Sequence, residues 1–251
     1  MNFALAVTLL ATIAVSPPSP SCRTVFYASG GDMGQGLLCR PANDTMSPAV
    51  IVIHPRSGLT DWAKLQAKRL ADSGYVALAV DLFRGDLPRD SVERVELARL
   101  TPPGQRERDL AAGLRFLRQQ PFVRGDRIGV IGYCMGGSFA FRSAVDDSQF
   151  EAMILHYPTS FGQLATATDT AGVRRIRAPV LGIFGGKDAV IPLENVRAFE
   201  ATMRAAGKQV EVVVYPDAGH AFDYSSDTAR PADAADAWRR DLAFLAAHLR
   251  R

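Results

Sequence analysis

Six short, almost uninterrupted apolar runs recur along this chain, at residues 49–53, 75–80, 128–131, 152–155, 180–184 and 210–215. Val and Ile are frequent in them, and runs of that length and composition are expected of strands buried on both faces. Between them lie segments with helical spacing. Residues 62–73 carry Leu65 and Leu70 and are closed by Gly74. Thr101 can cap a helix that starts at Pro102 or Pro103, presents Leu110, Leu114 and Leu117, and ends at Gln120. Residues 196–206 end at Gly207, and 232–249 align Trp238, Leu242, Leu245 and Leu249. Strands alternating with helices predict an α/β fold, a mainly parallel sheet with helices on both faces. At 251 residues and 47% hydrophobic content, the chain can bury one core, read here as a single domain over 22–251.

The run at 128–131 leads into Gly132-Tyr133-Cys134-Met135-Gly136-Gly137. Small residues on both sides of a central Cys read as a nucleophile elbow, a strand-to-helix turn that lifts its middle side chain above the sheet. The helix over 138–145 would direct its positive end at Cys134 and favour a thiolate. Taken alone, a cysteine after a buried strand fits an inert core residue equally well.

Two further residues decide between those readings. Asp188 follows the run at 180–184, and His220 follows the run at 210–215. Open α/β sheets place ligands at the carboxyl ends of strands. Nucleophile, acid and histidine in that chain order are the α/β-hydrolase sequence of a triad. A thiolate would attack a carbonyl carbon, His220 would move the proton, and Asp188 would orient the imidazole. The developing oxyanion would be met by the amide of Met135 and by one from the loop after residue 53, with Arg56 as donor because Pro55 has no N–H. Asp217 is a competing choice for the orienting acid, and His54 is read as shaping the oxyanion loop. His156 and Tyr157, at the end of the 152–155 run, either line the pocket or support it. The segment 160–177 is read as a loop over the pocket.

The order and spacing of Val50-Ile51-Val52-Ile53-His54, Gly58-Leu59, Gly74-Tyr75-Val76-Ala77-Leu78-Ala79, Asp81-Leu82-Phe83, the Cys134 elbow, Gly185-Gly186-Lys187-Asp188 and Ala218-Gly219-His220-Ala221-Phe222 resemble the dienelactone hydrolase family over about residues 23–249. The resemblance implies an α/β-hydrolase that opens an unsaturated lactone through a Cys, Asp, His triad, here Cys134, Asp188 and His220. Two departures bear on what carries over. The family's best-known members have a glutamate after the His54 position that restrains the resting cysteine, and this chain has Pro55. They also hold the substrate carboxylate with two arginines, for which this chain offers Arg84, one position early, and Tyr224.

Residues 3–15 form an apolar run, followed by Ser and Pro through Ser21, so 1–21 reads as a signal peptide and linker despite the absence of Lys or Arg before the run. That implies a periplasmic or secreted protein, with a cytoplasmic one as the alternative. Cys22 and Cys39 flank a hairpin turning at Gly30 and Gly31, which sets them opposite each other, either bridged or as two unpaired thiols. With 29 basic and 26 acidic residues interspersed, no polybasic face suggests nucleic acid, and no membrane span is expected in the mature chain. No metal-ligand spacing among the four histidines and no dinucleotide fingerprint are present, so no cofactor or metal is expected. The reading is a hydrolase of a small ester or lactone acting through a thioester acyl-enzyme. The alternatives are a broad carboxylesterase or thioesterase on the same fold, and a non-catalytic binding or redox-sensing protein with a reactive thiol.

Overall fold

The computed structural model describes residues 19–43, 45–146, 150–159, 170–224 and 227–250. Residues 1–18 of the expected leader and 160–169 of the expected loop lie outside them. Eight strands form one sheet: β1 (Ser21–Ser29), β2 (Asp32–Arg40), β3 (Ser47–Ile53), β4 (Val76–Asp81), β5 (Val123–Tyr133), β6 (Ala152–His156), β7 (Val180–Gly185) and β8 (Val210–Tyr215). Their order is β1-β2-β4-β3-β5-β6-β7-β8. The β1/β2 and β2/β4 pairs are antiparallel, and every other pair is parallel.

Burial follows the sequence pattern. Val50 to Ile53 of β3 and every residue of β4 are fully buried, because helices cover both faces there. β1 instead alternates, with Val25, Tyr27 and Ser29 turned inward, as an edge hairpin with one wet face should. Gly30 and Gly31 form its turn at φ +61° and +94°, backbone that side chains other than glycine's rarely adopt. Cys22 lies opposite Cys39 in this register, and the two form a disulfide.

The helices are α1 (Asp61–Asp72), α2 (Ser91–Leu100), α3 (Gln105–Arg118), α4 (Met135–Asp146), α5 (Thr170–Arg175), α6 (Leu193–Ala205) and α7 (Pro231–Leu249). α1 packs on β2, β3 and β4, and α7 on β5, β6 and β7. The two meet where the Arg69 guanidinium stacks 3.9 Å from the Trp238 ring centroid. α3 and α4 cover further strands, with α4 lying on β3, β5 and β6.

Four elements differ from the sequence reading. α2 was not anticipated, since none of its described side chains is fully buried and it has no apolar stripe. Its signal is a cap: Asp90 accepts from Val92 and Glu93 backbone N–H groups. Thr101 closes α2 rather than opening the next helix, and α3 starts at Gln105 after Gly104 at φ +72°. α4 begins directly at Met135, and α5 occupies part of the segment expected to be loop.

Candidate active site

β5 delivers Cys134 into a turn with φ +53°, a strained conformation held by its surroundings. A Cβ on Gly132 would lie 2.3 Å from the Gly136 carbonyl oxygen, and one on Gly136 would lie 2.3 Å from the Ile53 carbonyl oxygen. Only glycine fits at either position. The second contact presses the start of α4 against the end of β3, so the Met135 amide and the loop carrying Arg56 converge beside the sulfur. The Cys134 N–H donates to the His156 carbonyl at 2.9 Å and pins the turn to β6.

Asp188 follows β7 and His220 follows β8. The Nδ1–H of His220 donates to Asp188 Oδ2 at 2.8 Å, and its Nε2 lies 3.3 Å from Cys134 Sγ. Asp188 Oδ1 accepts from the N–H groups of Val190 and Ile191 at 2.7 and 3.0 Å, which fixes the carboxylate and leaves Oδ2 for the imidazole. Thr228 Oγ1 donates to the His220 carbonyl at 2.7 Å and anchors the loop. Asp217 is paired at 2.7 Å with Lys187 on the surface, so it is not the acid on His220.

The electrostatics favour a charge-separated pair. Burial opposes a thiolate at Cys134, but the hydrogen bond and charge of His220, the Met135 N–H and the Arg56 charge together pull the thiol below its ordinary value. Burial also opposes an imidazolium at His220, yet Asp188 and Cys134 push it up to about 9. Both directions favour the pair in which Cys134 is the thiolate and His220 the cation over the pair in which both are neutral.

Other expected residues have different places. Tyr224 is partly exposed and packs on Trp62 with ring centroids 4.8 Å apart. Its phenol is pushed up by burial and then by the charge of Cys134, which marks it as a neighbour of the sulfur. Arg84 does not line the cavity beside the elbow, contrary to expectation. Its Nε and Nη2 donate to Asp109 at 2.8 Å each and its Nη1 to Asp32 at 3.1 Å, because Asp109 is fully buried and requires a compensating cation.

His156 and Tyr157 support the site from behind rather than lining it. His156 is buried with Nε2 3.0 Å from Asp241 Oδ2 and Nδ1 3.3 Å from Asp223 Oδ2. Burial disfavours its cation, but Asp241 and Asp223 raise it to about 10. The Tyr157 hydroxyl donates to Asp223 Oδ1, and its ring stands edge-on to His220 with centroids 5.0 Å apart. His54 is held neutral by burial, donating from Nδ1 to the Pro55 carbonyl at 2.7 Å and accepting at Nε2 from Leu82 N–H at 3.1 Å. It shapes the loop that carries Arg56.

Sequence reasoning missed Asp223, Asp241, Arg94, Arg106 and Arg142. Asp241 had a readable signal, a carboxylate on the apolar face of α7 three residues from Trp238 and four from Leu245. The arginines had none, since α2, α3 and α4 converge only in three dimensions. There they line a cavity of about 370 Å³ that also touches Arg56 and Met135.

A mostly parallel eight-stranded sheet with a cysteine elbow after β5, an aspartate after β7 and a histidine after β8 defines an α/β-hydrolase. Its family is equally plain: the profile described as "Dienelactone hydrolase family" matches residues 35–249, and the chain belongs to that family of hydrolases acting on ester bonds. It is 32% identical to the "Putative carboxymethylenebutenolidase" of Salmonella typhimurium, over 98% of this chain and 95% of that one. It is 30% identical to the "Probable 2-oxo-3-(5-oxofuran-2-ylidene)propanoate lactonase" of a Bradyrhizobium species, over 90% of this chain and 94% of the relative. The crystal structure of a "Putative Dienelactone Hydrolase" from Klebsiella pneumoniae superposes with a TM-score of 0.81 at 29% identity, covering 91% of this chain and 99% of that one.

Proposed function

We propose that this protein hydrolyses a small ester or lactone by covalent catalysis, with Cys134 as nucleophile, His220 as proton carrier and Asp188 as the acid that orients it. The observation that carries the reading is the continuous contact from Asp188 Oδ2 through the two ring nitrogens of His220 to the Cys134 sulfur. The Cys134 thiolate attacks the carbonyl carbon, and the carbonyl oxygen becomes an oxyanion facing the amides of Met135 and Arg56. As the tetrahedral intermediate collapses, the Nε2–H of His220 protonates the departing alkoxide, leaving a thioester on Cys134. Neutral His220 then takes a proton from water as the hydroxide adds, and the acid is released with the thiolate restored. In a lactone the alcohol and acid remain one molecule, so the product is an open hydroxy or oxo acid.

With Pro55 where a restraining glutamate was expected, His220 is the group facing the sulfur in the resting site. The same geometry admits open esters and thioesters as well as lactones. The Cys22–Cys39 bridge supports export to an oxidising compartment after removal of a leader. Turnover of p-nitrophenyl acetate and of simple butenolides by wild type, Cys134→Ala and His220→Gln tests the reading. We expect both variants to lose at least about a thousandfold in kcat/KM, and wild-type rates in Cys134→Ala would refute the assignment.

A further inference from the structure

The end of β6 holds both reactive turns through consecutive residues that take no part in the chemistry. The His156 carbonyl accepts the Cys134 N–H at 2.9 Å, and the Tyr157 hydroxyl donates to Asp223, three residues past His220. Pro158 closes the contact with the elbow helix, since a Cβ on Gly137 would lie 3.0 Å from the proline Cβ. Sulfur and imidazole are thus both referred to one strand end, although they arise from β5 and from the loop after β8. Backbone strain collects at the same place. Tyr157 has φ +35° and Ala221 φ +59°, a region that side chains other than glycine's rarely adopt, and such residues persist where the surroundings over-determine them. The Tyr157 N–H still donates to the Ile183 carbonyl at 2.8 Å, so its strain falls where the chain leaves the sheet. Ala221 lies between His220 and Asp223, and its carbonyl accepts the Tyr224 N–H at 3.2 Å.

From this arrangement we propose that Tyr157 and Asp223 are positioning residues, whose hydrogen bond sets the place of the His220 imidazole between the Cys134 sulfur and the leaving group. Resting on the ester hydrolase reading, the tether adds a constraint that Asp188 does not supply. Asp188 fixes Nδ1 of the ring, whereas the tether fixes the loop that carries the ring and so the 3.3 Å from Nε2 to the sulfur. The Tyr157 phenol is fully buried, and burial together with the charge of Asp223 pushes it well above its ordinary value, so it remains a donor. Asp223 is held at its other oxygen by His156 at 3.3 Å. The Tyr157 ring stands edge-on to His220 with centroids 5.0 Å apart and to Phe222 at 5.9 Å, which backs the imidazole with a rigid surface. A misplacement of about 1 Å in a proton donor is enough to cost about a hundredfold in rate.

Tyr157→Phe, Asp223→Ala and the double variant, compared with wild type on two esters, test the tether. The alkoxide leaving benzyl acetate must be protonated by His220, while p-nitrophenolate departs without a proton. We expect Tyr157→Phe to melt as cooperatively as wild type and to lose about tenfold to a hundredfold in kcat/KM on benzyl acetate, with a smaller loss on p-nitrophenyl acetate. Because each single variant removes the same hydrogen bond, the double variant should be no slower than Asp223→Ala. With no substrate present, the thiolate absorbance of Tyr157→Phe should move to higher pH, because among its neighbours His220 favours the thiolate most, ahead of the Met135 N–H and Arg56. Equal losses on both esters with an unchanged thiolate titration, or losses that add in the double variant, would overturn the tether. A wild type that turns over neither ester, with the thiolate still displaced in Tyr157→Phe, would instead count against the hydrolase reading alone.

Discussion

His156 and Asp241 meet at 3.0 Å in the interior, joining the end of β6 to the middle of α7. The imidazole is also 3.3 Å from Asp223, three residues beyond His220 in the same loop. One buried cation thus serves two carboxylates, and through Asp223 and Tyr157 it steadies the face against which the His220 ring rests. Backbone reinforces this, since the His156 carbonyl also accepts the Cys134 N–H.

Replacing His156 with Gln should therefore cost stability, because two carboxylates are left facing each other without a cation. The expected loss is about 3 to 5 kcal/mol at neutral pH. The folded-state pKa is raised to about 10 from the ordinary 6.5, so this stabilisation is complete below about 6.5 and fades as the pH rises through about 10. Melts of wild type and His156→Gln across that range should show the gap between them closing in alkali. A gap independent of pH would show that His156 is neutral in the fold.

The pH profile of kcat/KM should be bell-shaped and displaced to acid on its rising limb. Activity appears as Cys134 ionises, below the ordinary thiol range, and declines near pH 9 as His220 loses the proton it delivers to the leaving group. Thiolate absorbance in the far ultraviolet should follow the rising limb and be absent in Cys134→Ala. In His220→Gln the thiolate signal should move up toward the ordinary thiol value.

The disulfide closes a separation of 17 residues at the edge of the sheet, and its loss should cost about 3 kcal/mol. Cys22→Ser should melt lower than wild type without moving the KM for p-nitrophenyl acetate. Thiol titration of the denatured, unreduced mature chain should find one free thiol, that of Cys134; three would contradict the bridge.

How far the sequence could be read depended on whether a signal was local. The parallel strands announced themselves as continuous apolar runs, and Gly132 and Gly136 announced the elbow because a backbone crossing excludes any Cβ. Asp188 and His220 were legible because strand ends collect on one edge of such a sheet. α2 escaped because its only signature is the Asp90 cap, with no fully buried face to impose periodicity. Arg84 misled because adjacency to a motif says nothing about Asp109, 25 residues away, which claims its guanidinium. The arginine cavity was hidden for the same reason, its members lying on four separate segments.

The central claim is that the Cys134 sulfur carries the acyl group. Acid-quenching the protein during turnover of p-nitrophenyl acetate and sequencing its peptides by mass spectrometry tests this directly. One acetyl group should be found on the peptide containing Cys134, released by neutral hydroxylamine and absent from Cys134→Ala. Steady hydrolysis with Cys134 unmodified, or with the acetyl group on another residue, would contradict it.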